Sequence, residues 1–337
     1  MKKIQTITKW ALFACLFILF NTSCNDELNL IEGDKEIPVV YGFLSLNDTA
    51  TYIRVERSFI DATKPAATIA QIADSLYYAN ITVTLVRVSN NEKFVLTRVD
   101  GNTEGYKRAS GIFAQSPNYL YKAKNTTLSM RADEQWRIVV QRNGETKVLA
   151  QATTKVVGDY SIFAPQAGTS LFLTYDNTFN ISIETTELTA KFYDVKVMVN
   201  YDELIGSTRT AKRAEWLLSG GSPRSGASIQ SFFRRSAKEF YSFLASSIPV
   251  NTSATRYFKD FDIEVTAGGQ ELIDYANIGI ANIGITGSQA IPTYTNVENG
   301  LGLFTSRNKT VLKGMKLNQQ SLDLLMTGEL TKNLNFR

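Results

Sequence analysis

Residues 136–153 read WRIVVQRNGETKVLAQAT, and the hairpin they encode decides the class of fold. Trp136-Arg137-Ile138-Val139-Val140-Gln141 is rich in β-branched and aromatic residues, and Asn143-Gly144 behind it is the strongest short hairpin signal a sequence carries. Lys147 to Thr153 supplies the return strand. The same grammar recurs upstream. Ile81 to Val88 (ITVTLVRV) is β-branched almost throughout, Ser89-Asn90-Asn91-Glu92 turns it, and Phe94 to Val99 comes back. Earlier still, Ile37 to Leu44 is an apolar run and Asn47-Asp48 a turn. Thr51 to Glu56 then alternates, with Ile53 and Val55 on one side and Tyr52, Arg54 and Glu56 on the other. Ala66 to Tyr78 is less strand-like and fits one or two helical turns. Short strands bounded by turn residues, recurring up to residue 157, predict an immunoglobulin-like β-sandwich over residues 37–157.

Residues 158–168 (GDYSIFAPQAG) read as a linker, opening a second β-rich domain over 158–337. Strands are expected at Phe172–Tyr175, Asn180–Glu184, Phe192–Val199 and Phe258–Thr266, and a loop at 220–226 (GGSPRSG). Ile229, Phe232, Phe233, Ala237, Phe240, Phe243 and Leu244 fall at helical spacing. They predict one amphipathic helix over 229–246, stopped before Pro249, with Arg234, Arg235, Lys238 and Glu239 on its polar side. A short helix over 319–326 and a terminal segment, Leu330–Phe336, close the chain. The fold class is therefore mainly β: an N-terminal sandwich, then a second β-rich domain with one amphipathic helix. No fixed-period repeat is visible.

Composition narrows the chemistry. The sequence contains no histidine, which excludes Ser-His-Asp and Cys-His catalysis and any His-ligated zinc, iron or copper. Its only cysteines are Cys15 and Cys24, so the body of the chain has no thiol for a disulfide, nucleophile or metal. Stability must come from core burial, which 44% apolar residues can supply. The net charge of +4 includes Lys2, Lys3 and Lys9 at the N-terminus, so the remainder is near neutral, too balanced for a nucleic-acid binder. No cofactor is expected.

Four groups of residues are candidates for a site. Asp260, Asp262 and Glu264 alternate along one strand face and form a calcium candidate if a loop adds further oxygens; a solvated strand face is the alternative. Arg234, Arg235 and Lys238 offer a basic face for phosphate head groups or an acidic partner. Tyr77-Tyr78 and Tyr119-Leu120-Tyr121 could line an aromatic groove for sugars or peptides, against the alternative of cross-strand core pairs. Ser236-Ala237-Lys238 lacks the Ser-x-x-Lys spacing of a hydrolase dyad, so no catalytic residue is assigned and the protein is expected not to be an enzyme.

The N-terminus, MKKIQTITKWALFACLFILFNTSC, resembles a bacterial lipoprotein signal peptide over residues 1–23: three lysines, an apolar run from Trp10 to Phe20, then Cys24. That run is too short to span a bilayer, which needs roughly 20 residues. Lipidation by palmitate-class acyl chains is expected on the Cys24 sulfur, anchoring the chain to outer-membrane lipid. Asn21 stands where such signals usually carry Leu. Modification at Cys15 and a plain secretory leader remain open. Residues 24–36 read as a polar, acidic spacer.

Three stretches resemble an uncharacterised family of Bacteroidota lipoproteins that contain a domain of unknown function. They are Pro38-Val39-Val40-Tyr41-Gly42 with Asp48 and Tyr52-Ile53-Arg54-Val55; Asp74-Ser75-Leu76-Tyr77-Tyr78; and Asn296-Val297-Glu298-Asn299-Gly300-Leu301-Gly302-Leu303-Phe304, preceded by Glu271 to Tyr275. The resemblance implies an immunoglobulin-like N-terminal sandwich and genes often beside TonB-dependent outer-membrane receptors. Asn25-Asp26-Glu27 after the cysteine resembles the signal that sends such lipoproteins to the cell exterior. The expectation is a non-enzymatic, surface-exposed accessory or ligand-capture subunit of a TonB-dependent uptake complex. A structural or adhesive surface protein and a carboxylate-based hydrolase are the alternatives.

Overall fold

The strands of the first half fall into two facing sheets. In the computed structural model, which describes residues 36–58, 64–185, 187–224, 228–283 and 294–337, these are β1 (Pro38–Leu44), β2 (Ala50–Arg57), β3 (Ile81–Arg87), β4 (Glu92–Val95), β5 (Thr97–Asp100), β6 (Tyr119–Lys124), β7 (Gln135–Arg142) and β8 (Val148–Lys155). One sheet runs β1-β2-β6-β5 and the other β4-β3-β7-β8, all neighbours antiparallel. This is the strand order of the immunoglobulin Greek key. Alternation along each strand sends Val40, Ile53, Val55 and Tyr121 inward against Val83, Leu85, Ile138 and Val140, with Trp136 at the centre. Trp136 enters from β7, whereas antibody domains place theirs on the third strand.

Two local expectations change. The run Phe94–Val99 is not one return strand: β4 pairs with β3, β5 pairs with β6 in the other sheet, and buried Leu96 is the crossing point. The Asn143-Gly144 hairpin forms, but Gly144 alone takes the left-handed conformation (φ 80°) and the register slips between Val140 and Gln141. The loop is therefore longer than the two-residue turn that Asn-Gly favours.

The second half builds another sandwich from β9 (Tyr160–Ala164), β10 (Ser170–Leu171), β11 (Thr178–Thr185), β12 (Phe192–Ile205), β13 (Thr208–Pro223), β14 (Gln230–Ser236), β15 (Ala254–Gly268) and β16 (Leu301–Leu317). The sheet β13-β12-β15-β16 buries Val195, Val197, Val199, Phe261 and Ile263 against Phe179, Ile181 and Ile183 of the three-stranded sheet β14-β11-β9. Phe240, Tyr241 and Leu244 of the helix Ala237–Ser247 seal the end of this core.

Here several sequence expectations are corrected. The supposed linker 158–168 contains β9, because Tyr160 is a core residue whose hydroxyl donates to the Val265 carbonyl at 2.6 Å. Phe172–Tyr175 forms no strand; pairing there stops at Leu171. The helix expected over 229–246 is a strand and a helix. Residues 230–236 pair with β11, and the helix starts only at Ala237, capped by Ser236 and Glu239. Its first three apolar positions therefore belong to the strand and its junction, and only the rest form a helical stripe. The sandwich also carries more than one helix: Gln270–Ile283 was not read from the sequence, whereas Gln319–Thr327 lies where a short helix was expected.

The two sandwiches share β16. Leu301 to Ser306 run parallel to β1, and Arg307 to Met315 pair with β15, so one sheet continues from β13 to β5. Val297 and Phe304 accordingly sit in the first core although they lie late in the chain. The two cores divide near 157/158, except that Val297 and Phe304 return from late in the chain to the first. The Gly-spaced motif at 296–304 makes this return possible. Gly302 has φ 117°, and a Cβ there would lie 2.0 Å from the Val40 carbonyl oxygen. Asn296 clamps the turn, accepting from the Phe304 N–H at 3.0 Å and donating to its carbonyl at 2.7 Å.

Candidate functional site

At its lateral edge the second sandwich is open. β13 ends at Pro223 in one sheet, and the chain re-enters as β14 in the other. Between them lies a groove of about 600 Å³, with Tyr193, Leu218, Phe233 and three arginines, Arg224, Arg234 and Arg235, among its lining residues. Main-chain carbonyls hold two of the guanidinium groups. Arg235 Nη2 donates to the Leu218 carbonyl at 2.9 Å, spanning from β14 to β13. Arg224 donates twice to the Ser228 carbonyl, at 3.2 and 2.6 Å, and once to Ala190 at 3.5 Å. Arg234 lies 5.2 Å above the ring of Phe232, which is 51% exposed.

Carbonyls orient a guanidinium without neutralising it. Of these three arginines only Arg235 has a carboxylate within 4.0 Å among the described residues, that of Glu239 at 3.9 Å. Glu184 on β11, opposite Gln230 in the register, is engaged by the Gln230 side-chain amide at 3.4 Å. The groove thus keeps positive charge beside aromatic surface. Tyr193 is 1% exposed and meets Phe233 edge-on at 6.2 Å. Among the described residues its hydroxyl makes no well-formed hydrogen bond, and the Thr185 hydroxyl is its side-chain polar neighbour. The neighbouring Thr185 hydroxyl is directed toward the carbonyls of Asp159 and Glu187. Burial pushes the Tyr193 phenol above its ordinary range, and the Arg224 charge pulls the other way.

The acidic strand face is a different kind of site from the one expected. Asp260, Asp262 and Glu264 do project from one side of β15, but residues on β12, β13 and β16 engage each of them. Asn200 donates to Asp260 at 2.7 Å and to Asp262 at 3.3 Å. Arg213 lies 3.6 Å from Asp262, Lys316 lies 3.7 Å from Asp260, and Lys309 lies 2.5 Å from Glu264. The Gly314 N–H takes the remaining Asp262 oxygen at 2.9 Å. Among the described residues no group of three His, Cys, Asp or Glu could hold a metal. The calcium reading gives way to a cross-strand ion-pair ladder, because the flanking strands present cations and amides where a calcium site needs further oxygens.

The other candidates resolve as follows. Arg234 and Arg235 lie on β14 and Lys238 in the first turn of the helix, so they do not share one helix face. Ser236 is that helix's cap, its Oγ accepting from the Lys238 N–H at 3.2 Å. Tyr77, Tyr78, Leu120 and Tyr121 are buried, and Tyr119 packs edge-on against Tyr77 at 5.1 Å with Arg98 over its ring at 3.6 Å. These rings are packing groups rather than an open aromatic groove. Cys24, the leader 1–23 and all but the end of the spacer 24–36 lie outside the described residues. Among those described, no helix is long and apolar enough to cross a membrane. Sequence reasoning missed Arg224 and Tyr193. The first sits in the Gly/Ser/Pro-rich loop of 220–226, and the second in a run that reads only as strand.

No protein-family model matches the chain, and no curated protein does. Among solved structures it is similar to the chicken interferon gamma receptor alpha chain, at 7% identity and a TM-score of 0.18 over 71% of this chain and 90% of that one. It is also similar to the CBD12 fragment of CALX1.2, at 11% identity and a TM-score of 0.20 over 72% and 87%. The immunoglobulin-like assignment rests on the strand order described above.

Proposed function

We propose that this chain is a lipid-anchored surface protein of the outer membrane that binds rather than catalyses, serving as an accessory or ligand-capturing subunit of a TonB-dependent uptake complex. The groove between β13 and β14 is the observation that carries this reading. Main-chain carbonyls orient Arg224 and Arg235, Arg224 and Arg234 have no carboxylate within 4.0 Å among the described residues, and aromatic rings stand beside them, which is the chemistry of recognition. The leader ending in Cys24 supports the anchor, and the acidic Asn25-Asp26-Glu27 supports an outward-facing location. The ion pairs on Asp260, Asp262 and Glu264 weigh against the carboxylate hydrolase, since each named carboxylate is already engaged.

A structural or adhesive role is the second reading, favoured by the continuous sheet from β13 to β5, which makes the two sandwiches one stiff unit. Affinity capture of the tagged full-length protein from gently solubilised native outer membranes separates the two, with Cys24→Ala as control. The uptake reading expects stoichiometric recovery of a TonB-dependent receptor, lost in the control. Recovery of the lipoprotein alone would move the assignment to adhesion.

A further inference from the structure

We infer that the groove between β13 and β14 is a binding site for a phosphate-bearing small ligand with an apolar body. Three arginines from separate positions, Arg224 in the crossover and Arg234 and Arg235 on β14, line one opening. Guanidinium forks recognise oxyanions by paired, charge-assisted hydrogen bonds, and a phosphate offers more acceptor oxygens than a carboxylate to donors arriving from several directions. The carbonyl bonds of Arg224 and Arg235 settle their orientation before any ligand arrives, so little side-chain entropy remains to be lost on binding.

The second observation is independent of the arginines. The Tyr193 hydroxyl is buried beside the groove and, among the described residues, makes no well-formed hydrogen bond, with only the Thr185 hydroxyl named beside it. A buried hydroxyl left unpaired is costly, and a phenylalanine would avoid that cost. A donor held at that expense beside Arg224 is accounted for by a ligand oxygen that accepts from it. Phe232, exposed at the rim under Arg234, and Phe233 within supply surface for the apolar body.

The inference rests on the ligand-capture reading but can fail separately from it. Phosphate binding without a co-purified receptor would keep the site and remove the partnership; a receptor without binding would do the reverse. The test is isothermal titration of the detergent-solubilised full chain with phenyl phosphate, with benzoate of similar shape, and with glycerophosphoglycerol, the deacylated head group of phosphatidylglycerol. Saturable binding of phenyl phosphate is expected, weakened about tenfold by Arg224→Gln or Arg234→Gln. Tyr193→Phe should weaken it severalfold while leaving the melting temperature unchanged or raised. Tighter phenyl phosphate than glycerophosphoglycerol marks a soluble phosphomonoester as the source; the opposite order marks a lipid head group. Benzoate binding as tightly as phenyl phosphate, no binding of either phosphate, or arginine variants that bind like the parent would overturn the proposal.

Discussion

Arg256 illustrates how a single side chain holds an end of the molecule. It is 1% exposed, pairs with Glu203 at 2.7 Å, and donates to the carbonyls of Leu334 at 2.7 Å and Pro249 at 2.9 Å. Removing one partner of such a pair leaves a desolvated charge, so Arg256→Ala should destabilise the protein by about 3–5 kcal/mol. Denaturant unfolding checks this, and a loss below 1 kcal/mol would refute the locking role. The tyrosines set a second prediction. Burial raises the Tyr78 phenol to about 12, and it raises Tyr160 and Tyr241 further. An unfolded tyrosine ionises near pH 10, so above that pH the unfolded state binds fewer protons than the native state and stability falls. The melting temperature should not respond to these groups below about pH 9 and should drop between pH 10 and 12. Tyr78→Phe, which removes a hydroxyl without a hydrogen-bond partner among the described residues, should lessen that drop; an unchanged slope would count against the assignment.

At the scale of elements, the junction between β14 and the helix Ala237–Ser247 is the most informative. Ser236 accepts from the Lys238 N–H, and Glu239 accepts from the Ser236 N–H at 3.2 Å, a capping box spelled Ser-x-x-Glu. Ser236→Ala should cost about 1 kcal/mol, read as a small fall in melting temperature with the groove arginines still functional. The box was legible in the sequence. The spacing of Ile229, Phe232 and Phe233 obscured it, because two adjacent phenylalanines satisfy a helical count as well as a strand in which one ring faces solvent. Strands built from local composition, such as β3, β7 and β8, were readable for the opposite reason: β-branched runs and turn residues act within a few positions of one another. The arginine groove was only half legible. Arg234 and Arg235 stood out as charges, but their union with Arg224 and Tyr193 depends on two sheets meeting, which no local pattern encodes.

For the whole molecule, the shared strand β16 makes the two sandwiches thermodynamically dependent. Residues 37–157 alone would lack Val297 and Phe304 from their core and the parallel partner of β1. Expressed by itself, this segment should be unfolded or strongly destabilised, with poorly dispersed amide resonances, while the full chain melts in one calorimetric transition. A well-dispersed, cooperatively melting fragment would show the first sandwich to be autonomous. Long-range pairing of this kind was the least legible part of the fold. The motif at 296–304 announced a glycine-dependent turn, but its docking against Val40 is set by residues far apart in the chain.

That same pairing imposes an order in time. A ribosome completes β1 long before it reaches Leu301, so the first sandwich waits while the second is made, with one strand edge unsatisfied and its hydrophobic centre incomplete. Closure comes only when β16 emerges. Until Leu301 to Ser306 are made β1 has no parallel partner, so completion of the first sandwich is tied to synthesis of the second.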